Sequence, residues 1–325
     1  PFAAEATFTP PTAPAQVAIT APAPVVMNAG CVFTATVSPS TVTQPLDYAW
    51  QASGQAPVTH TARLTCTDSV TFTWDVTGTQ TVTVTAANCL GAVTATQLVT
   101  VYAPVQADFA AEQTAGIAPL TVSFANLSTG DFSTSQWDFG DGSPPSIDTN
   151  PMHTYTDGGV YTVTLTVEGP GGDDTVTRPG YITVYTPVQA SFTAAPASGP
   201  VPLEVSFYNN SSGDYDACAW SFGDGATSAQ ENPIHVYTAP GVYTPTLTVS
   251  GPGGSASESK PGYIEALPAP PVQVAIAGPV LGAVGTAYLF TATVSPVTTT
   301  VPLTYTWDGR ASGRERGSLV VVRKE

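Results

Sequence analysis

Apolar and polar positions alternate with a period of two along much of the chain. In "TVTVTA" (81–86) and "TVTLTV" (162–167) every second side chain is apolar and Thr fills the other face, as a half-buried β-strand requires. Thr is β-branched and suits the exposed face of a strand. Clusters such as "GDGSPPS", "EGPGGDD" and "SGPGGSA" break the alternation at spacings of about 8–12 residues, the rhythm of turns between short strands. No segment of ordinary helical length shows a 3.6-residue period. The pattern predicts an all-β fold.

Two kinds of internal repeat set the organisation. Residues 105–186 ("VQADFAAEQTAGIAPLTVSFANLSTG…WDFGDG") and 188–267 ("VQASFTAAPASGPVPLEVSFYNNSSG…WSFGDG") align without a gap as far as Gly142 and Gly225, then need one single-residue deletion. Near the two ends, residues 16–50 and 273–307 are identical at 18 of 35 positions. This order predicts a Pro-rich linker or the end of a preceding domain at 1–14 and a first β-sandwich at 15–102. A repeated pair of sandwiches follows at 103–186 and 187–267, then an incomplete unit with an atypical basic tail at 268–325. The joints "VYAPVQADF" (101–109) and "VYTPVQASF" (184–192) are short and contain Pro, which favours a semi-rigid rod over freely tumbling modules.

Composition then excludes several functions. Hydrophobic residues make up 42% of the 325, enough for real cores, while charged residues are only 10%. Thr, Ser, 29 Gly and 31 Pro take their place, which rules out a coiled coil or helical bundle. No run of 18 apolar residues exists to span a membrane. A net charge of −16 argues against nucleic acid, whose phosphates need clustered Lys and Arg. Five of the eight Lys and Arg (Arg310, Arg314, Arg316, Arg323, Lys324) fall in the last 16 residues, so residues 309–325 are chemically foreign to the rest. Two readings of that tail stand side by side: an out-of-frame or truncated end, or an incomplete sandwich completed by a strand from a neighbouring subunit. The opening "PFAAEATFTPPTAPA" has neither an initiator Met nor an apolar signal core and reads as a mature terminus or an internal fragment.

Trp137-Asp138-Phe139-Gly140-Asp141-Gly142 and Trp220-Ser221-Phe222-Gly223-Asp224-Gly225 resemble the "WDFGDG" signature of the PKD (polycystic kidney disease) domain. The downstream "NPMHTYTDGGVYTVTLTV" and "NPIHVYTAPGVYTPTLTV" resemble its second block, and the likeness covers residues 105–267. Residues 15–102 keep a strand Trp, Trp50, but lack "FGDG" and place Gln80 where Tyr161 and Tyr243 stand; they look like a divergent PKD-like or immunoglobulin-like unit. The resemblance implies tandem immunoglobulin-like sandwiches of a secreted or cell-surface protein. Such domains serve as non-catalytic spacers, adhesive modules or accessory modules, often beside a hydrolase. On that layout Cys66 and Cys89 lie at the same end of the first sandwich, which implies a Cys66–Cys89 disulfide in an oxidising compartment. Cys31 falls at the opposite end, unpaired, and Cys218 shares the face of Trp220 as a small buried hydrophobe.

The candidate chemistry is sparse. Alternation puts Trp137 and Phe139, like Trp220 and Phe222, on one core face, with Asp-Gly forming the tight turn that follows. Tyr161 and Tyr243 open late strands and are placed for a tyrosine corner, the hydroxyl bonding back to the preceding loop. His153 and His235 share one repeat position and are expected to make a structural hydrogen bond in each sandwich. No "GxSxG" or "HExxH" occurs, so no catalytic site and no cofactor are expected. Asp138 with Asp141, Asp173 with Asp174, and Asp214 with Asp216 are weak candidates for a structural calcium, since Asp138, Asp173 and Asp174 become Ser221, Ser255 and Ala256 in the sister repeat. Asn126, Asn209 and Asn210 head N-glycosylation sequons. The expected partners are other extracellular proteins or polysaccharide, with self-association through the fourth unit as an alternative.

Overall fold

A computed structural model describes residues 10–269 and the two strands 273–277 and 291–295. Among the described residues every regular element is a strand, and no helix is long and apolar enough to cross a membrane. The chain divides into two compact units, Pro1–Val184 and Tyr185–Glu325. The first unit holds two sandwiches with separate cores and the second holds a third.

The first sandwich packs the sheet Gln16–Thr20, Cys31–Ser38, Thr67–Phe72 against a five-stranded sheet centred on Gly78–Asn88. The alternation read in the sequence is the alternation of burial: along Leu46–Ala52, Leu46, Tyr48, Trp50 and Ala52 are buried while the residues between them are exposed. In the second sandwich, Met152–Tyr155, Leu120–Asn126 and Phe109–Ala111 form one sheet. Ala115–Ile117, Gly172–Tyr185, Gly159–Gly169 and Thr134–Asp138 form the other. The third repeats this plan, its facing sheet broken into two pieces around Gly241–Tyr243 and Thr246–Gly251. Each core is built on one fully buried Trp (Trp50, Trp137 or Trp220), in contact with Phe rings at 5–6 Å in the two repeats.

The "WDFGDG" turns show why the motif has this composition. Trp137 and Phe139 point into the core, Asp138 points out, and the chain then folds back with Gly140 at φ 76° and Gly142 at φ 80°. Gly140 is required twice over: a Cβ there would also lie 2.2 Å from the Thr162 carbonyl oxygen.

Of residues 268–325, Gln273–Ala277 and Thr291–Ser295 pair antiparallel with Gln273 opposite Ser295. The first sandwich pairs Gln16 with Ser38 in the same register, as the sequence match requires. The remainder of the expected fourth unit, including the basic tail 309–325, lies outside the described residues.

Candidate functional site

The residues singled out by the repeat converge at one end of each repeated sandwich. In the second, the Phe139 and His153 rings stack at 4.0 Å with 6° between their planes. The His153 Nε2 lies 2.7 Å from Asp141 Oδ2, and the edge of His153 meets Tyr155 at 4.7 Å. Tyr155 donates its hydroxyl to the Phe139 carbonyl and stacks on Tyr161, whose own hydroxyl donates to the Asp157 carbonyl at 2.8 Å. The third sandwich reproduces the set: Phe222 on His235 at 4.1 Å, His235 on Asp224 at 2.7 Å, and Tyr243 donating to Ala239 at 2.7 Å. Strand pairing positions the ring, because His153 lies on Met152–Tyr155, which pairs with Leu120–Asn126 and sets His153 opposite Val122.

The electrostatics of the cluster follow from its burial and its hydrogen bonds. Burial alone would raise the Asp141 carboxyl, but the Ser143 hydroxyl, the His153 ring and the Ser143 amide together hold it below its ordinary 3.8. Asp224 is likewise lowered: burial opposes, and the Ala226 amide with the His235 ring outweighs it. Burial, reinforced by Asp141 and by Asp224, pushes the Tyr155 and Tyr237 phenols well above their usual range, so both stay neutral. The Ser143 hydroxyl sits on Asp141 rather than on the imidazole. Asp141 is thereby engaged through both oxygens, Oδ1 by Ser143 and Oδ2 by His153.

The acidic candidates spend their oxygens on the chain itself. Asp138 accepts from the Gly140 amide at 2.9 Å, Asp174 from Ala107 at 2.7 Å and Asp214 from Thr186 at 2.6 Å. Asp173 and Asp216 are exposed. Among the described residues no three His, Cys, Asp or Glu side chains come together in a group that could hold a metal ion.

The expected Cys66–Cys89 disulfide is absent; all four thiols are free. Cys66 Sγ points at the Ser40 carbonyl at 3.4 Å, under the Gln44 amide. Cys89 is exposed at the tip of a hairpin whose neighbour, Asn88, is tied down by bonds to Thr12 and Thr43. Lying at the same end of a sandwich does not make two thiols face each other. Cys218 packs against the third core as expected but is only half-buried; burial and the nearby Glu231 carboxylate raise its thiol above the ordinary range. Of the sequon heads, Asn126 and Asn209 turn their Oδ1 to the chain two residues on, and Asn210 is exposed.

Two constellations had no sequence expectation. In the first sandwich Asp68, with a side chain only 2% exposed, accepts from the Trp50 indole at 2.9 Å and from Arg63 Nε at 3.0 Å. The same carboxylate lies 2.7 Å from His60 Nδ1. In the repeats Arg178 lies over Phe109 and Tyr181 and bonds Asp108 at 2.7 Å, while Lys260 lies over Phe192 and Tyr263 beside Glu258. The shared "RPGY" and "KPGY" at matched positions is the signal that marks the second pair. On the outer faces, hydroxyls bond to one another across strands: Thr83–Thr96 and Thr85–Thr94, Thr164–Thr177 and Thr166–Thr175, Thr246–Ser259 and Thr248–Ser257. A depression of about 190 Å³ lined by Thr43, Gln44, Asp47, Asn88 and Cys89 is smaller than the roughly 300–1,000 Å³ of small-molecule sites.

Comparison with known proteins agrees with this geometry. The PKD domain family matches residues 101–184 and 186–265, just over half of the chain. Collagenase ColA of Bacillus cereus is 39% identical over 69 residues, 20% of this chain and 7% of that protein. Collagenase ColQ1 of Bacillus cereus (strain Q1) is 38% identical over 69 residues, again 7% of its length, so the chain spans a small part of these relatives. Among solved structures, a three-immunoglobulin-domain fragment of titin superposes with a TM-score of 0.56 at 12% identity, covering 77% of this chain and 98% of that one. That likeness is one of fold: tandem immunoglobulin-like sandwiches. On its motifs, its sheets and these matches, the chain belongs to the PKD domain family.

Proposed function

We propose that this chain is a non-catalytic spacer and adhesive segment of a larger extracellular protein, meeting its partners through uncharged, hydroxyl-rich sheet faces. One observation carries the reading: each of the three His is engaged with a carboxylate at 2.7 Å. A catalytic centre needs a nucleophile or base within hydrogen-bond reach of a substrate, and two of these rings, His153 and His235, are stacked on Phe139 and Phe222. The paired Thr and Ser hydroxyls offer a face that a polysaccharide or a neutral protein surface matches better than a charged ligand does.

A second reading is favoured by the 69-residue match to the two collagenases: an accessory segment that holds a hydrolase near its insoluble substrate. Co-sedimentation of the purified chain with fibrillar collagen and with insoluble polysaccharides separates the two. Saturable binding to collagen supports the accessory role, whereas binding to polysaccharide alone, or to neither solid, supports the spacer and adhesive segment. Turnover of collagen or of a glycan by the chain alone defeats both.

A further inference from the structure

Three sequence features stand outside the functions argued above: the Gly-Asp pairs at 130–131 and 213–214, the "GPGG" turns at 169–172 and 251–254, and the joints Ala103-Pro104-Val105 and Thr186-Pro187-Val188. The fold brings all three together in each repeat. In the second sandwich, Asp131 Oδ2 accepts the Ala103 amide at 2.6 Å, and the Asp131 amide donates back to the Ala103 carbonyl at 3.2 Å. The Asp131 carbonyl accepts from Gly171 at 3.0 Å, and Gly171 in turn accepts from Val105 at 3.3 Å. Gln106 and Thr129 then exchange two bonds, at 3.0 and 2.9 Å. In the third sandwich the same pattern joins Asp214 Oδ2 to Thr186 at 2.6 Å, Asp214 N to Thr186 O at 3.1 Å, Gly253 to Asp214 at 2.8 Å and Val188 to Gly253 at 3.1 Å.

The glycines are explained by the peptide that lies against them. A Cβ at Gly171 would sit 2.0 Å from the Ala103 carbonyl oxygen, and one at Gly253 would sit 2.1 Å from that of Thr186. Neither has a positive φ, so the backbone itself would accept a side chain; the joint would not. The first sandwich holds Thr12 in the same way with other groups: Thr43 Oγ1 accepts its amide at 2.6 Å, and the Thr43 amide donates to its carbonyl at 3.0 Å. Asn88 Nδ2 bonds both the Thr12 and the Thr43 carbonyls.

We propose that the second and third sandwiches each carry a built-in binding site for an extended peptide, and that its occupant is the linker leading into that same sandwich. The ligand class is a residue-Pro-Val segment that presents one amide donor and one carbonyl acceptor ahead of the proline. Asp131 and Asp214 are the positioning residues that read that donor and so fix the direction in which the chain enters. Within Pro1–Val184 the consequence is sharp. The Tyr102 carbonyl is held by Met27 of the first sandwich at 2.9 Å, and the next residue, Ala103, is already held by the second. No unattached residue separates the two, so this joint turns only by breaking the site.

Hydrogen exchange on the full chain, followed by mass spectrometry over residues 102–106 and 185–189, tests this. Both linkers are expected to exchange at least about tenfold more slowly than free peptides of the same sequence, as locally closed amides do. Gly171→Ala is expected to return 102–106 to the free-peptide rate while 185–189 and the strand Gly159–Gly169 stay protected, and Gly253→Ala to do the reverse. Asp173→Asn, an exposed carboxylate on the same hairpin, is expected to change neither linker. If Gly171→Ala unfolds its whole sandwich, Asp131→Ala decides: loss confined to 102–106 supports the site, and unchanged protection there overturns it. Linkers that exchange at the free-peptide rate in the unmodified chain overturn it at once.

Discussion

The first sandwich and the two that follow bury a Trp at the centre of the same kind of core, yet they satisfy its indole with opposite chemistry. In the repeats the indole N–H donates to a loop carbonyl, Trp137 to Asp148 at 3.0 Å and Trp220 to Gln230 at 2.9 Å. In the first sandwich Trp50 donates to the Asp68 carboxylate, which also holds Arg63 and meets His60. A neutral acceptor can be supplied by any main chain that passes close enough. A buried carboxylate must be matched by several donors at once, because its desolvation is costly unless it is paired and hydrogen-bonded. Each of the three described sandwiches thus has one Asp–His pair: at the surface end of the core in the repeats, and against the central Trp in the first.

The sharpest way to break that comparison is Asp68→Ala. Removing one member of a buried, hydrogen-bonded charge cluster costs about 3–5 kcal/mol, and here the loss is expected in the first sandwich alone. Calorimetry of the full chain should show one transition moving well below the other two; a uniform shift would mean that the sandwiches do not melt independently.

A smaller effect, about 1.5–3 kcal/mol in all, is expected from Asp141→Ala or Asp224→Ala, because these carboxylates are more exposed than Asp68 and solvent replaces part of what is lost. The two are expected to act equally on their own sandwiches, with urea midpoints as the readout. The same pair carries a pH dependence. Both carboxyls are held below 3.8 in the fold, so their contribution is fully present above that value and is lost as the pH falls through their lowered folded-state range. The second and third sandwiches are therefore expected to weaken in acid below about pH 4, and Asp141→Asn to flatten that loss for the second. An unchanged acid profile in Asp141→Asn would refute the role given to the pair.

The smallest effect belongs to the tyrosine hydroxyls. Tyr161→Phe and Tyr243→Phe each remove one bond to a loop carbonyl, worth about 0.5–1.5 kcal/mol. The first sandwich has Gln80 at the matching place, and Tyr48 instead donates to the Thr65 carbonyl. A larger loss than this in either variant would show that the stacking on Tyr155 or Tyr237 depends on the hydroxyl as well as the ring.

What was legible in the sequence was whatever depends on neighbours a few residues apart. Alternation places Trp137 and Phe139 in the core, and the Tyr161 hydroxyl bonds a carbonyl only four residues back. What escaped depends on pairs that only the finished sandwich creates. Asp141 reads as a turn residue or an ion ligand until His153 is brought across from twelve residues away. Gly171 reads as an ordinary turn glycine, because its constraint comes from Ala103, far earlier in the chain. The Cys66–Cys89 expectation failed for the same reason: topology gives the end of the sandwich on which a thiol lies, but the direction in which it points is set by packing against Ser40 and Gln44.

The placement of the basic residues has one more consequence. Within 10–269 the Lys and Arg are Arg63, Arg178 and Lys260. The last two are followed by Pro179 and Pro261, whose rings block the bond that a trypsin-like protease would cut, and their heads lie over aromatic rings. That leaves Arg63, before the exposed Leu64, as the one basic residue there whose following bond is open to such an enzyme. Over residues 10–269 the backbone therefore offers a trypsin-like enzyme a single open basic site.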